Sequence, residues 1–282
     1  MMTRLEKNTF KKLTDISLLI RKRTVITSFE AKIPHLGSCL SCVDILVYLY
    51  FLELSINPEK FEDIDRDRFL LSKGHAAPVL FQVLAEKGFF SLSELKEFGE
   101  NGSFLHEHPP KPGIIKGIEA ATGSLGHGFP MGIGMAISAK IQKKDFNIYA
   151  LLSDGECNEG SIWEGALLAP KLKLDNFIGI IDYNKWQATG RTKDIMNIEP
   201  FVDKWQSFGW HCQEINGHNF DEIHEAFLNA HKTVSKPSII IANTIKGKGV
   251  SFMEDDNNWH YRTPNNHELE SALAELSTDR KK

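Results

Sequence analysis

The second half of the chain alternates two kinds of text, and that alternation limits the fold more than any other feature. Short apolar runs occur at 147–153 (NIYALLS), 176–182 (NFIGIID), 210–215 (WHCQEI) and 238–244 (SIIIANT). Between them lie stretches of helical periodicity at 158–172, 202–208 and 220–234. Runs this short have strand length, and strands that alternate with helices pair in parallel, because each helix carries the chain back across the sheet. The expectation is an α/β fold: a doubly wound, mostly parallel sheet with helices on both faces. Ligands in such sheets bind beyond the carboxyl ends of the strands, where SDGE (153–156), DYNKWQATG (182–190) and TIKGKGVSF (244–252) fall.

The first half supplies the remaining layers. Phe10, Leu13, Ile16, Leu19, Ile20 and Ile26 recur at helical spacing and predict an amphipathic helix over 9–30, while VDILVYLYFLEL (43–54) is apolar on most faces and predicts a buried one. Between them IPHLGS (33–38) reads as a loop, with Pro34 and Gly37 ending one element before the next begins. RFLLS (68–72) predicts a short strand running into SKGHAAP and a helix over 79–87. From Gly99 to Gly117 the text is rich in Gly, Pro and His and has no period, which predicts a long ordered loop. After it, glycines lead into a small-residue helix in which Gly132, Gly134 and Ala136 permit close packing. No linker or repeat divides the chain, so one domain spanning 1–282 is expected.

Bulk properties exclude more than they identify. A net charge of −4 offers no general attraction to nucleic acid or to an anionic membrane surface. No window reaches transmembrane length and the N-terminus lacks a continuous apolar core, so a cytoplasmic location is expected. Cys39 and Cys42 form a C-x-x-C, but no second ligand pair accompanies them as a zinc site needs, and a helical pattern precedes Cys39 where a redox pair needs a strand. They are expected to be small buried residues.

Chemistry concentrates around Asp154. It follows a strand, and Gly155 is expected to permit the turn that brings the next helix N-terminus toward an anion. Asn184 ends the next strand thirty positions later. A carboxylate, a side-chain amide oxygen and a backbone carbonyl near Trp186 suit magnesium, which takes oxygen ligands and keeps phosphates among them. The simpler reading is that Asp154 caps the helix and Asn184 occupies a turn.

D-G, a helix, then a strand ending in Asn resembles the thiamine-diphosphate motif, with Ser153 in place of its first glycine. Four further segments resemble the transketolase family: HLGSCLSCVDIL (35–46), DRFLLSKGHA (67–76), GIEAATGSLGHG (117–128), and KGKGVSF (246–252) followed by Trp259-His260. Together they run from about residue 35 to 260 in the family's order and match its N-terminal, diphosphate-binding half. The resemblance implies a transferase that uses thiamine diphosphate and Mg2+ (or Ca2+ or Mn2+) to move a two-carbon ketol unit from a ketose or ketose phosphate to an aldose. It implies Asp154, Asn184 and the Trp186 carbonyl as metal ligands. His75, Gly123, Leu125, Gly155, Glu159 and His260 would line the cofactor, with Glu164 in an interface network. His35, His75, His108 and His260 would face cofactor and sugar; His108 is preferred to His106 because His108-Pro109 reproduces the family's His-Pro pair.

The family's pyrimidine-binding half has no counterpart in these 282 residues, which implies a separate pyrimidine-domain subunit, two copies of each chain, and active sites between unlike subunits. Pro34, Glu107 and His127 depart from the family's usual residues beside the expected substrate channel, leaving the acceptor open. Alternative readings are a specialised ketol transferase acting on an activated or nucleotide-linked sugar, a deoxyxylulose-phosphate-synthase-like relative, and a noncatalytic interaction subunit that retains the fold.

Overall fold

The structure, a computed structural model, describes residues 3–277; the ends of the expected 1–282 domain, Met1, Met2 and 278–282, lie outside the described residues. The chain begins with α1 (Lys7–Ala31), α2 (Leu36–Ser41) and α3 (Val43–Tyr48), the last continuing into a π-helical turn over Leu49–Glu53. Then come β1 (Arg68–Leu71), α4 (Ala77–Lys87), the irregular segment expected over 99–117, and α5 (Gly128–Ile141). The alternating half follows as β2 (Ile148–Ser153), α6 (Gly160–Lys171), β3 (Phe177–Tyr183), the short α7 (Thr192–Ile195), α8 (Phe201–Ser207), β4 (His211–Asn216), α9 (Phe220–Lys232), β5 (Ser238–Asn243) and α10 (Asn266–Glu275).

Five strands form one sheet in the order β1-β2-β3-β5-β4, and every pairing is parallel. Side chains of a strand alternate between faces, and two apolar cores divide along that alternation. Tyr149, Leu151, Ile178, Ile180, Ile240 and Ala242 pack on one face with α3, α4 and α9. Ile148, Ala150, Leu152, Phe177, Ile181, Ile239 and Ile241 pack on the other with α5, α6 and α8. Both faces of β2, β3 and β5 are therefore dry, which is why those strands read as continuous apolar runs, whereas the edge strand β4 is partly exposed along its length. A third, smaller core joins α1, α2 and α10 with the segment after β5 through Val25, Leu40, Val250, Met253 and Trp259.

One expectation is corrected and one is sharpened. IPHLGS is not simply a loop: Gly37 lies inside α2, and a Cβ there would stand 3.0 Å from the Lys246 side chain, so the glycine serves close approach of α2 to the loop after β5. Gly155 opens a 3-10 turn (Gly155–Asn158), as a residue that permits the turn, and does so without a left-handed φ; its missing side chain leaves room for Gln187, whose Cγ would be 3.2 Å from a Cβ.

Candidate active site at the carboxyl edge of the sheet

Four strand ends, not three, converge on one edge. Ser72 to His75 follow β1, Asp154 and Gly155 follow β2, Asn184 follows β3, and Thr244 to Lys246 follow β5. They surround a cleft of about 390 Å³ lined by His35, His75, His108, Gly123, Leu125, Gly155, Glu159, Asn184, Trp186 and His260 among others. His106, Glu164, Pro34, Glu107 and His127 are not among its lining residues; all but the half-buried Pro34 are exposed, and His127 Nδ1 lies 3.1 Å from the Leu125 carbonyl oxygen.

The four histidines arrive from four separate segments and form a cluster. Ring centroids of His35 lie 5.3 Å from His75, 5.0 Å from His260 and 6.4 Å from His108, and those of His75 and His260 are 6.0 Å apart. His35 caps α2 with φ 69°, and its N–H donates to the His260 carbonyl at 2.6 Å, which ties the two segments together. Burial, reinforced by neighbouring imidazoles and the Lys73 and Lys246 ammonium groups, lowers His35 to about 4 and His260 to about 3, and holds His75 well below the ordinary histidine range. At neutral pH these three rings are neutral, so each offers one N–H donor and one nitrogen acceptor.

Asp154 is fully buried and does not cap a helix through its side chain. Its Oδ2 accepts from the Thr192 hydroxyl at 2.6 Å, while Oδ1 has no hydrogen-bond partner among the described residues. Burial pushes this carboxyl up to about 7. A buried carboxylate oxygen without a donor is costly, and a hard cation would satisfy it, so Asp154 fits a metal ligand better than a cap. Asn184 Oδ1 accepts from the Trp186 N–H at 3.1 Å, so the turn reading and the ligand reading describe the same residue. Among the described residues no three His, Cys, Asp or Glu side chains group to hold a metal; one carboxylate with an amide and a backbone oxygen is a different donor set, suited to magnesium completed by phosphate oxygens and water.

Beneath the cleft lies a buried polar layer that the motif reading did not single out. Lys73 and Asp182, both with no exposed surface, form an ion pair; Asp182 also accepts from the hydroxyls of Ser41 at 2.5 Å and of Thr244. Burial opposes ionisation of Asp182, but the Lys73 ammonium and these donors outweigh it and hold the carboxyl below its usual range. Glu156 accepts from the Ser72 hydroxyl and from the Gly126 N–H at 3.0 Å, which pins the loop before α5 against the end of β2. Lys246, fully buried, donates to Asn257 Oδ1 at 2.7 Å and to His260 Nδ1 at 2.9 Å. The available signal was a charged residue ending an otherwise apolar strand, as Asp182 ends IGIID, since a buried charge must be paired. Cys39 and Cys42 are buried and free, as expected, and burial pushes the Cys39 thiol up to about 12.

Comparison with known proteins identifies the family and the fold. Residues 16–282 match the family described as Transketolase, thiamine diphosphate binding domain. An apulose-4-phosphate transketolase subunit of Phocaeicola vulgatus is 42% identical over 257 residues, covering 91% of each chain. A 6-deoxy-6-sulfo-D-fructose transketolase subunit of Clostridium sp. is 41% identical, covering 93% of this chain and 94% of that one. The solved transketolase of Campylobacter jejuni superposes with a TM-score of 0.87 at 30% identity over 98% of this chain, which spans 44% of the larger protein.

Proposed function

Because this chain belongs to the transketolase family, we propose that it is the thiamine-diphosphate-binding subunit of a two-subunit ketol transferase, active with a pyrimidine-domain partner. The observation that carries the reading is the meeting of four histidines around one cleft at the carboxyl edge of a parallel sheet, with the unsatisfied oxygen of the fully buried Asp154 on the residue between Ser153 and Gly155, which both line that cleft. Asp154 Oδ1, Asn184 Oδ1 and the Trp186 carbonyl would hold Mg2+, or Ca2+ or Mn2+ in its place, and through it the diphosphate. Gly123, Leu125, Gly155, Glu159, His75 and His260 would border the cofactor. When present, thiamine diphosphate supplies the nucleophilic carbon and the electron sink for breaking and remaking a carbon–carbon bond.

What remains for the protein is positioning and proton traffic. His35, His75, His108 and His260 would hydrogen-bond the ketose carbonyl and neighbouring hydroxyls. The neutral rings of His35 and His75 would accept a hydroxyl proton as one bond breaks and return it as the next forms, while His260, whose Nδ1 is occupied by Lys246, would donate from Nε2. The two relatives above are named for a ketose phosphate and a sulfo-ketose, and the substrate class proposed here is correspondingly a ketose with an anionic tail as donor and an aldose as acceptor. Two copies of each subunit, with the active site between unlike chains, and a cytoplasmic location compatible with four free cysteines complete the proposal. Among the described residues no helix is long and apolar enough to cross a membrane.

The test is reconstitution with the pyrimidine-domain protein identified by copurification. With Mg2+ and thiamine diphosphate the pair is expected to transfer a ketol unit from an anionic ketose, and the 282-residue chain alone to show none. Full transfer by the isolated chain would contradict the proposal.

A further inference from the structure

Lys246 orients His260 from behind the cleft, and the chain around Lys246 is held by residues that touch no part of that cleft. An ammonium offers only N–H donors, so Nδ1 of His260 accepts from Lys246 Nζ at 2.9 Å and the ring carries its proton on Nε2. The loop bearing Lys246 is anchored at Ile245 and Lys248. The Ile245 N–H donates to His218 Nε2 at 2.9 Å, which leaves the His218 proton on Nδ1, 2.8 Å from Asp44 Oδ2. Asp44, on α3, also receives both arms of the Arg21 guanidinium, at 2.8 and 2.6 Å, and Arg21 Nε donates to the Lys248 carbonyl at 3.0 Å. Arg21 and Asp44 are buried, and His218 spans from the end of β4 to the end of β5.

We infer that Arg21, Asp44 and His218 form a positioning cluster that clamps the backbone on both sides of Lys246 and so fixes the tautomer of His260. The catalytic consequence rests on the transketolase reading; the tautomer does not. A buried ion pair is weak as a source of stability, and in some proteins its role is to specify one arrangement of neighbouring groups; the arrangement inferred here is a lysine aimed at a ring of the cleft. His218 is the key member, because its two nitrogens have opposite roles: one donates to Asp44 and the other accepts from the backbone.

Two readouts test this. In the 15N-labelled full chain, long-range proton–nitrogen correlation is expected to show His260 as the single Nε2–H tautomer. The spectra are recorded near pH 6, where Lys246, lowered to about 7 by burial and the Lys73 ammonium, is still charged and His260 is neutral. His218→Phe and Lys246→Met should each give a mixture, and His218→Gln should restore the single form, since its amide has an N–H for Asp44 and an oxygen for the Ile245 N–H. In the complex with the partner subunit, His218→Phe is expected to lower kcat/KM by about 10- to 100-fold, the usual cost of misplacing an oriented group. That loss should vanish in a Lys246→Met background, as expected for residues acting in series. A single Nε2–H tautomer in folded His218→Phe, or losses that multiply independently in the double variant, would overturn the inference. Should His218→Phe fail to fold by circular dichroism, Asp44→Asn answers the same question, because its amide N–H must face a guanidinium or imidazole donor. An unchanged tautomer there counts equally against the clamp. If the tautomer shifts as stated but the chain binds no thiamine diphosphate, the positioning stands and the proposed function falls.

Discussion

Asp154 carries an unmet demand: a carboxylate with no exposed surface and one oxygen to which nothing among the described residues donates. Leaving such an acceptor unsatisfied costs about 1–3 kcal/mol, and more when it is charged. In metal-free protein at pH 7.5, Asp154→Asn is therefore expected to raise the melting temperature, by about 2–4 °C per kcal/mol recovered, and with Mg2+ and thiamine diphosphate the order of the two proteins should reverse. Calorimetric melting in both states checks it; a variant less stable in both would show that the carboxylate is satisfied without a cation. The histidines make a second demand. His35, His75 and His260 have folded pKa values lowered by burial below the unfolded value of 6.5. The unfolded chain thus takes up protons first, and stability that is complete above about pH 6.5 is lost as pH falls toward about 4 for His35 and about 3 for His260. Melting temperature should drop between pH 7 and pH 5, and drop less in His260→Gln. Equal pH slopes in the two proteins would mean that His260 titrates as an exposed ring.

At the scale of elements, the loop after β5 shows how closely the site depends on packing behind it. Gly247 has φ +80°, and a Cβ there would lie 2.1 Å from the Met253 carbonyl oxygen, so no side chain fits without moving the loop that bears Lys246. Gly88, which ends α4 at φ +96°, has nothing within 4 Å of such a Cβ. Both substitutions to alanine incur left-handed strain of about 1–3 kcal/mol, but only Gly247→Ala is expected to weaken thiamine diphosphate binding as well. Comparable cofactor affinity in the two variants would sever the link between this loop and the site. The elements differ in how far sequence exposes them. β2, β3 and β5, with α6, α8 and α9, were legible because both sheet faces are dry and the runs are uninterrupted; the four-residue α7 was not. α2 was not, since six residues opened by a left-handed histidine carry too little periodicity to signal a helix, and its glycine is explained only by a neighbour more than two hundred positions away.

For the whole molecule, the cleft lining was legible and its foundation was not. His35, His75, His108 and His260 lie on motif segments, and the chain's α/β topology brings them to one edge. Lys73, Asp182, Glu156 and Lys246 lie inside the motif segments and strand-end loops, but nothing in those segments marks them as one buried layer; their importance comes from burial and from partners far along the chain. The same topology leaves the cleft at one edge of the sheet, where in the proposed reading the chain would hold the diphosphate and metal and a partner would complete the site. The measurement that tests this most directly is a calorimetric titration of the chain, assembled with its pyrimidine-domain partner, with thiamine diphosphate in the presence and absence of Mg2+. Saturable binding that requires Mg2+ and disappears in Asp154→Ala is predicted. Binding of equal strength without Mg2+, and undiminished in Asp154→Ala, would contradict it.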